Sequence, residues 1–217
     1  MTSVPLESLV EQLELAEQLW AGRARMQMPQ DLPGRFGRVI RAIDHVLQAV
    51  GAEAVVAGGW AVWHHGYVER VTRDVDIVLA AAAVDEFRRA AALSGFELLP
   101  EQPGRWPKMI HKETGTRVDI LPEGARPGTA HRPAPTTVPH PAKMGAEGTT
   151  LRYIDVDHLF ELKLAAGRTQ DIADLEHLVR DNTERLGAIR QYLSCVHPQY
   201  VAAFDELVSR SQQEDDR

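Results

Sequence analysis

Paired glycines at Gly58-Gly59, an Asp74-Val75-Asp76 triplet and a Val118-Asp119-Ile120 triplet constrain this chain more than any other feature. Val55-Val56-Ala57 ahead of the glycines predicts a short strand running into a turn, and Trp60 to His65 a short helix that stops at Gly66. Thr72 to Leu79 alternates until Ile77-Val78-Leu79, the pattern of a strand entering a core. Successive side chains of a strand point to opposite faces, so Asp74 and Asp76 share one face, about 7 Å apart, and Val75 and Ile77 the other. Two carboxylates on a rigid strand suit Mg²⁺, which binds through one or two carboxylates plus substrate phosphates. The glycines suit the phosphate, because backbone N–H groups without a neighbouring Cβ can approach an anion closely. Asp119 lies between Val118 and Ile120, on its own face of a buried strand. A bare buried carboxylate is costly, so its partner is a metal or a cation, with Arg117 and Arg73 the nearest candidates.

In this order, these residues resemble the nucleotidyltransferase superfamily that includes DNA polymerase β: a glycine turn, a short helix, an Asp-x-Asp strand and a third carboxylate on a later strand. Ala57-Gly58-Gly59-Trp60-Ala61, His65-Gly66 and Arg70-x-Thr72-x-Asp74-x-Asp76 are most similar to its bacterial AbiEii-type branch, over roughly residues 53–180. Two departures stand out: the gap from Gly59 to Asp74 is longer than usual, and Gly59 replaces a common serine. The resemblance implies an α+β fold with a small mixed sheet. It implies two metal ions, with Asp74, Asp76 and Asp119 as ligands and catalytic carboxylates, and NTP as substrate. Gly58, Gly59 and Thr72 would then approach the phosphates. Lys163, set among leucines, and Arg168 resemble the family's Lys…Arg…Asp…Asp helix pair, completed by Asp171 and Asp174, and would hold the triphosphate. An ammonium among leucines is expected to gain little for folding and to neutralise a polyanion at close range.

The branch implies the toxin of a toxin–antitoxin pair, with tRNA as acceptor and an antitoxin protein as partner. Nucleotidylation of a small molecule such as an antibiotic is the alternative, as is a binding module that keeps the fold without turnover. A net charge of −7 argues against a protein that coats nucleic acid nonspecifically. It leaves room for a local basic stretch between Arg105 and Arg152. No apolar run approaches the ~20 residues of a membrane span, and the N-terminus carries acids where a secretion signal has bases, which points to the cytoplasm. The single cysteine, Cys195, excludes an internal disulfide and reads as a packed helix residue.

Periodicity divides the chain into helices over 1–52, the core over 53–155 and a helical part over 156–217. Leu6 to Met26 and Gly34 to Val50 read as helices, the second with an apolar face of Phe36, Val39, Ile40, Ile43, Val46 and Leu47. Val84 to Ser94 reads as a helix, Phe96 to Leu99 as a short strand or a connector, and Lys108 to Lys112, Thr116 to Leu121 and Thr149 to Ile154 as strands. Residues 122–145 carry six prolines and form a long, positively biased loop that either covers a ligand or is a solvated excursion. Asp155 or Asp157 caps the first of four closing helices. His64 and His65 are adjacent on a helix and diverge, so joint metal ligation is not expected; His65 helps to close the helix.

Overall fold

The computed structural model describes residues 28–32, 34–129, 131–145 and 148–215. The helix expected over Leu6 to Met26 lies outside the described residues. Helix α1 (Gly34–Val50) leads into β1 (Ala54–Ala57), α2 (Gly58–His64), β2 (Asp74–Leu79) and α3 (Val84–Leu93). Strands β3 (Phe96–Leu98), β4 (Lys108–His111), β5 (Arg117–Pro122) and β6 (Leu151–Tyr153) follow. Helices α4 (Val156–Ala166), α5 (Thr169–Asp181), α6 (Leu186–Val196) and α7 (Pro198–Asp215) close the chain. The fold is α+β, as expected, built on one six-stranded mixed sheet of order β3-β4-β5-β2-β1-β6. β2 runs parallel to β5 and antiparallel to β1, and β1 runs parallel to β6.

Alternation along the strands sorts the two faces. Val75, Ile77 and Leu79 of β2, with Val118 and Ile120 of β5, point at α1 and α3 and share a core with Phe36, Ile40, Ile43 and Phe87. Val55, Val78 and Leu121 point the other way, into a second core with Leu159, Phe160, Leu175 and Phe204 of the C-terminal helices. Asp74, Asp76 and Asp119 lie on this second face, before the strands become wholly apolar. Each fully buried side chain such as Ile77 is worth roughly 2 kcal/mol, so a one-residue slip of β2 that exposed three of them would be prohibitive. The first core therefore locks which face the carboxylates occupy.

The ends of α4 follow local chemistry. Asp155 is the cap: its carboxylate accepts from His158 N–H at 2.9 Å. Gly167 stops the helix in the left-handed conformation, φ 61°. The stretch over 122–145 is not a free excursion. Its two arms are bonded to each other, Gly124 N–H donating to the Val138 carbonyl and Val138 N–H to the Ala125 carbonyl, both at 2.8 Å, and Ala134, Val138 and Met144 are buried in the second core. Cys195 differs from expectation: it lies on the exposed side of α6, because Ile189 and Leu193 take that helix's buried face.

Candidate active site

The strand register sets Ala57, Asp76, Asp119 and Lys108 in one row across β1, β2, β5 and β4. Asp74 stands opposite Arg117 in the same pairing of β2 with β5. Neighbouring strands lie about 4.8 Å apart, so Asp76 and Asp119 are side by side. Both glycines are required by close approach. Gly58 has φ 60°, and a Cβ there would fall 1.8 Å from Asp76 Oδ2. A Cβ on Gly59 would fall 2.7 Å from Thr72 Cβ and Oγ1, so a serine at Gly59 would collide with Thr72. Thr72 is buried, and its hydroxyl donates to the Asp74 carbonyl at 3.3 Å and carboxylate at 3.4 Å. It braces Asp74 from behind, and Thr72 and Gly59 pack closely against each other.

Cations already attend the carboxylates. Arg117 shares the Asp119 face of β5 and bonds Asp74, with its Nε 2.9 Å from Asp119 Oδ1. Lys108 Nζ bonds the other Asp119 oxygen. Of the two cations expected near Asp119, the structure selects Arg117. Asp76 is different. Among the described residues no donor reaches its carboxylate, and burial, followed by the charges of Asp74 and Asp119, pushes it up to about 7. Among the described residues no group of three His, Cys, Asp or Glu side chains is gathered closely enough to hold a metal ion as it stands. The donor chemistry nevertheless fits a divalent cation: a half-buried carboxylate without a donor beside two others is relieved by positive charge.

The second constellation sits on α4 and α5. Lys163 is buried, with Nζ 2.6 Å from Asp174 Oδ2 and 3.2 Å from Asp171 Oδ1. Asp174 is fully buried and also accepts from Arg70 Nε at 2.7 Å and Gln170 Nε2 at 3.0 Å. Arg70 thus belongs to Asp174. Arg168 clamps Asp171 through Nε at 2.7 Å and through its own N–H at 3.2 Å, while its side chain stays 75% exposed. Burial opposes ionisation of Asp171, but the Arg168 hydrogen bond and the Lys163 charge hold it below the usual carboxylate range. The ammonium of Lys163 is therefore tied into a buried network with Asp171 and Asp174.

Gly58, Asp76, Asp119, Lys163, Arg168 and Asp171 line one cavity of about 290 Å³. Lys108, Arg105, Trp106 and the Arg126–Thr129 segment complete its wall. Of these, Trp106 escaped sequence reading, its only signal being its place beside Pro107 before a strand; Arg105, Lys108 and Arg126 lie in the basic stretch, and Arg126–Thr129 in the proline-rich loop, that the sequence marked out. His64 and His65 do not diverge as expected: their rings meet edge-on with centroids 5.0 Å apart, His64 also stacks on Tyr153 at 4.0 Å, and His65 Nε2 lies 2.7 Å from the Ile154 carbonyl.

No protein-family model matches this chain, and no curated protein does. Solved structures similar to it are nucleotidyltransferases. The antibiotic-resistance factor ANT(2")-Ia, in complex with adenylyl-2"-tobramycin, is 16% identical at a TM-score of 0.41, covering 80% of this chain and 97% of that one. A candidate nucleotidyltransferase from Thermotoga maritima is 17% identical at a TM-score of 0.43, covering 67% and 92%. Another from Helicobacter pylori is 15% identical at a TM-score of 0.42, covering 81% and 91%. Among the described residues no helix is long and apolar enough to cross a membrane.

Proposed function

We propose that this chain is a Mg²⁺-dependent nucleotidyltransferase that moves a nucleoside monophosphate from an NTP to an acceptor hydroxyl or phosphate. The observation that carries the reading is the row of Asp76 and Asp119 on adjacent parallel strands, braced by Asp74 and facing Lys163 and Arg168 across one cavity. In the reaction the acceptor oxygen attacks the α-phosphorus, the bond to the β-phosphate oxygen breaks, and pyrophosphate leaves. The acceptor proton passes to a carboxylate, for which Asp119 is the candidate. Asp74, Asp76 and Asp119 would hold the metal, which supplies charge neutralisation at the attacking and leaving oxygens. Arg168, exposed at the cavity mouth, places a guanidinium against triphosphate oxygens, and Lys163 adds a point charge behind it. Gly58 leaves room for the triphosphate beside Asp76. Arg117 and Lys108 must then yield Asp74 and Asp119 to the metal, and an anionic substrate offers them a new partner.

In its finer form the reading makes the chain the toxin of an AbiEii-like pair, cytoplasmic, with tRNA as acceptor and an antitoxin as partner. The core would span 53–155, with helical parts over 1–52 and 156–217. The test is incubation with each α-labelled NTP, Mg²⁺, and either total RNA or a panel of hydroxylated small molecules. Label should pass to an acceptor in the wild type and not in Asp119→Asn. Transfer by Asp119→Asn at the wild-type rate would overturn the assignment.

A further inference from the structure

The wall of the cavity beyond Asp119 carries its own recognition chemistry. Lys163 stands on α4 and Arg168 at the N-cap of α5, and both helices follow edge strand β6 beyond β1. Trp106 leads into β4, on the other side of β5. The row Asp76, Asp119, Lys108 therefore runs away from the triphosphate side, and β4 lies about 5 Å beyond Asp119. A group received from the triphosphate side passes over Asp76 and Asp119 and arrives next to Trp106.

Trp106 is half-buried, lines the cavity, and among the described residues has neither an aromatic neighbour nor a hydrogen bond to its indole N–H. Trp60, by contrast, is packed edge-on between Phe36 and Trp63. The charges beside Trp106 are equally uncommitted. Among the described residues Arg105 has no carboxylate partner, and the Arg126 guanidinium donates only to the Ala134 carbonyl, at 2.7 Å. The nearby acids are engaged: Glu101 by Arg88, and Glu123 by the Ala81 N–H at 3.2 Å. Among the described residues a polycationic aminosugar would find no carboxylate without a partner on this flank. A flat ring bearing phosphate would find the cavity-facing part of an indole that otherwise packs on the second core, and two guanidiniums.

We propose that Trp106, Arg105 and Arg126 form an acceptor subsite, in which the indole stacks a nucleobase and the guanidiniums hold its phosphate. The subsite rests on the nucleotidyl-transfer reading for its role as acceptor site. The nucleobase belongs either to a free nucleotide or to the end of an RNA strand, and the two sources share this chemistry. Trp106 sets which acceptor is taken, without touching the triphosphate.

The test is fluorescence anisotropy of fluorescein-labelled r(A)₄ with the full chain, with AMP and neomycin as competitors. ATP affinity in Mg²⁺ is measured separately by equilibrium dialysis. Stacking is worth about 1–3 kcal/mol per base, so Trp106→Ala should weaken r(A)₄ binding roughly 5- to 150-fold, and Trp106→Phe should restore most of it. The Arg105→Ala/Arg126→Ala double variant should flatten the dependence of log affinity on log salt by about 1.4 for two phosphate contacts. ATP affinity should stay within twofold throughout. Displacement by AMP at concentrations equal to r(A)₄ supports a free nucleotide as acceptor, and tight binding confined to r(A)₄ supports an RNA end. Unchanged r(A)₄ binding in Trp106→Ala, a loss of ATP affinity in its place, or stronger competition from neomycin than from AMP would each overturn the subsite. A wild type that binds r(A)₄ through Trp106 but not ATP would instead remove the nucleotidyl-transfer reading.

Discussion

Replacing Asp76 with Asn should destroy transfer while making the protein more stable, and the gain should grow with pH. The cause is the ionisation cost built into the site. Burial and the neighbouring carboxylates Asp74 and Asp119 raise the Asp76 pKa from 3.8 to about 7, despite the opposing charges of Lys163 and Arg168. A carboxyl whose folded pKa exceeds its unfolded value binds more protons in the folded state, so stability falls as pH rises from about 4 to about 7 and is level outside that window. At roughly 1.4 kcal/mol for each pKa step, the ionised carboxylate costs the folded state about 4 kcal/mol at pH 8 and about 2 kcal/mol at pH 5. Water reaching a half-buried group reduces both figures, and about half is a reasonable expectation. Asn keeps the shape and removes the charge. For a chain of this length one kcal/mol moves the melting temperature by roughly 2–4 °C. Calorimetry without divalent metal should therefore show Asp76→Asn melting several degrees above wild type at pH 8, with a smaller gap at pH 5. A variant that melts below wild type at pH 8, or a gap independent of pH, would refute the argument that like charge strains this site. Retained transfer would refute the metal assignment as well.

Three further outcomes are expected. Saturating Mg²⁺ should raise the melting temperature of the wild type, by an amount equivalent to about 3 kcal/mol at a hundred times its dissociation constant, and much less in Asp76→Asn; equal shifts would locate the ion elsewhere. Gly58→Ala should lose transfer and about 1–2 kcal/mol or more, because the left-handed backbone is strained and the new methyl meets Asp76; Gly51→Ala, at φ 63° with nothing within 4 Å, isolates the backbone part of that loss in urea denaturation. Lys163→Met should cost about 2–3 kcal/mol in the same assay, toward the low end for a broken buried pair because Arg70 and Arg168 still attend Asp174 and Asp171, and it should also weaken ATP binding; a stability change under about half a kcal/mol would mean that the buried network contributes nothing.

Short-range pattern carried most of the fold. Alternation in Thr72 to Leu79, the apolar stripe from Phe36 to Leu47, the glycine turn and the Asp155 cap are local signals, and each element they announce is present with its ends shifted by a few residues. Alternation also put Asp74 and Asp76 on one face, since strand geometry alone decides that. Pairing between distant strands was not legible in the residues themselves; only the family resemblance set Asp119 with Asp74 and Asp76. Whether Asp119 would stand beside Asp76, two residues away or on the outer edge of the sheet depends on the β2–β5 register, which is set by burial of Val118 and Ile120 against α1 and α3. The charge partners show the same division. Arg70 pairs with Asp174, 104 residues away, and Lys108 with Asp119, because a buried carboxylate takes whichever cation the packed elements deliver, and only the tertiary structure determines which cation that is. The sequence by itself determined which chemistry the chain carries and on which face of each strand it lies. The tertiary structure decided what faces it: a cavity walled by Trp106 and Arg126, brought to Asp119 by the order of the strands.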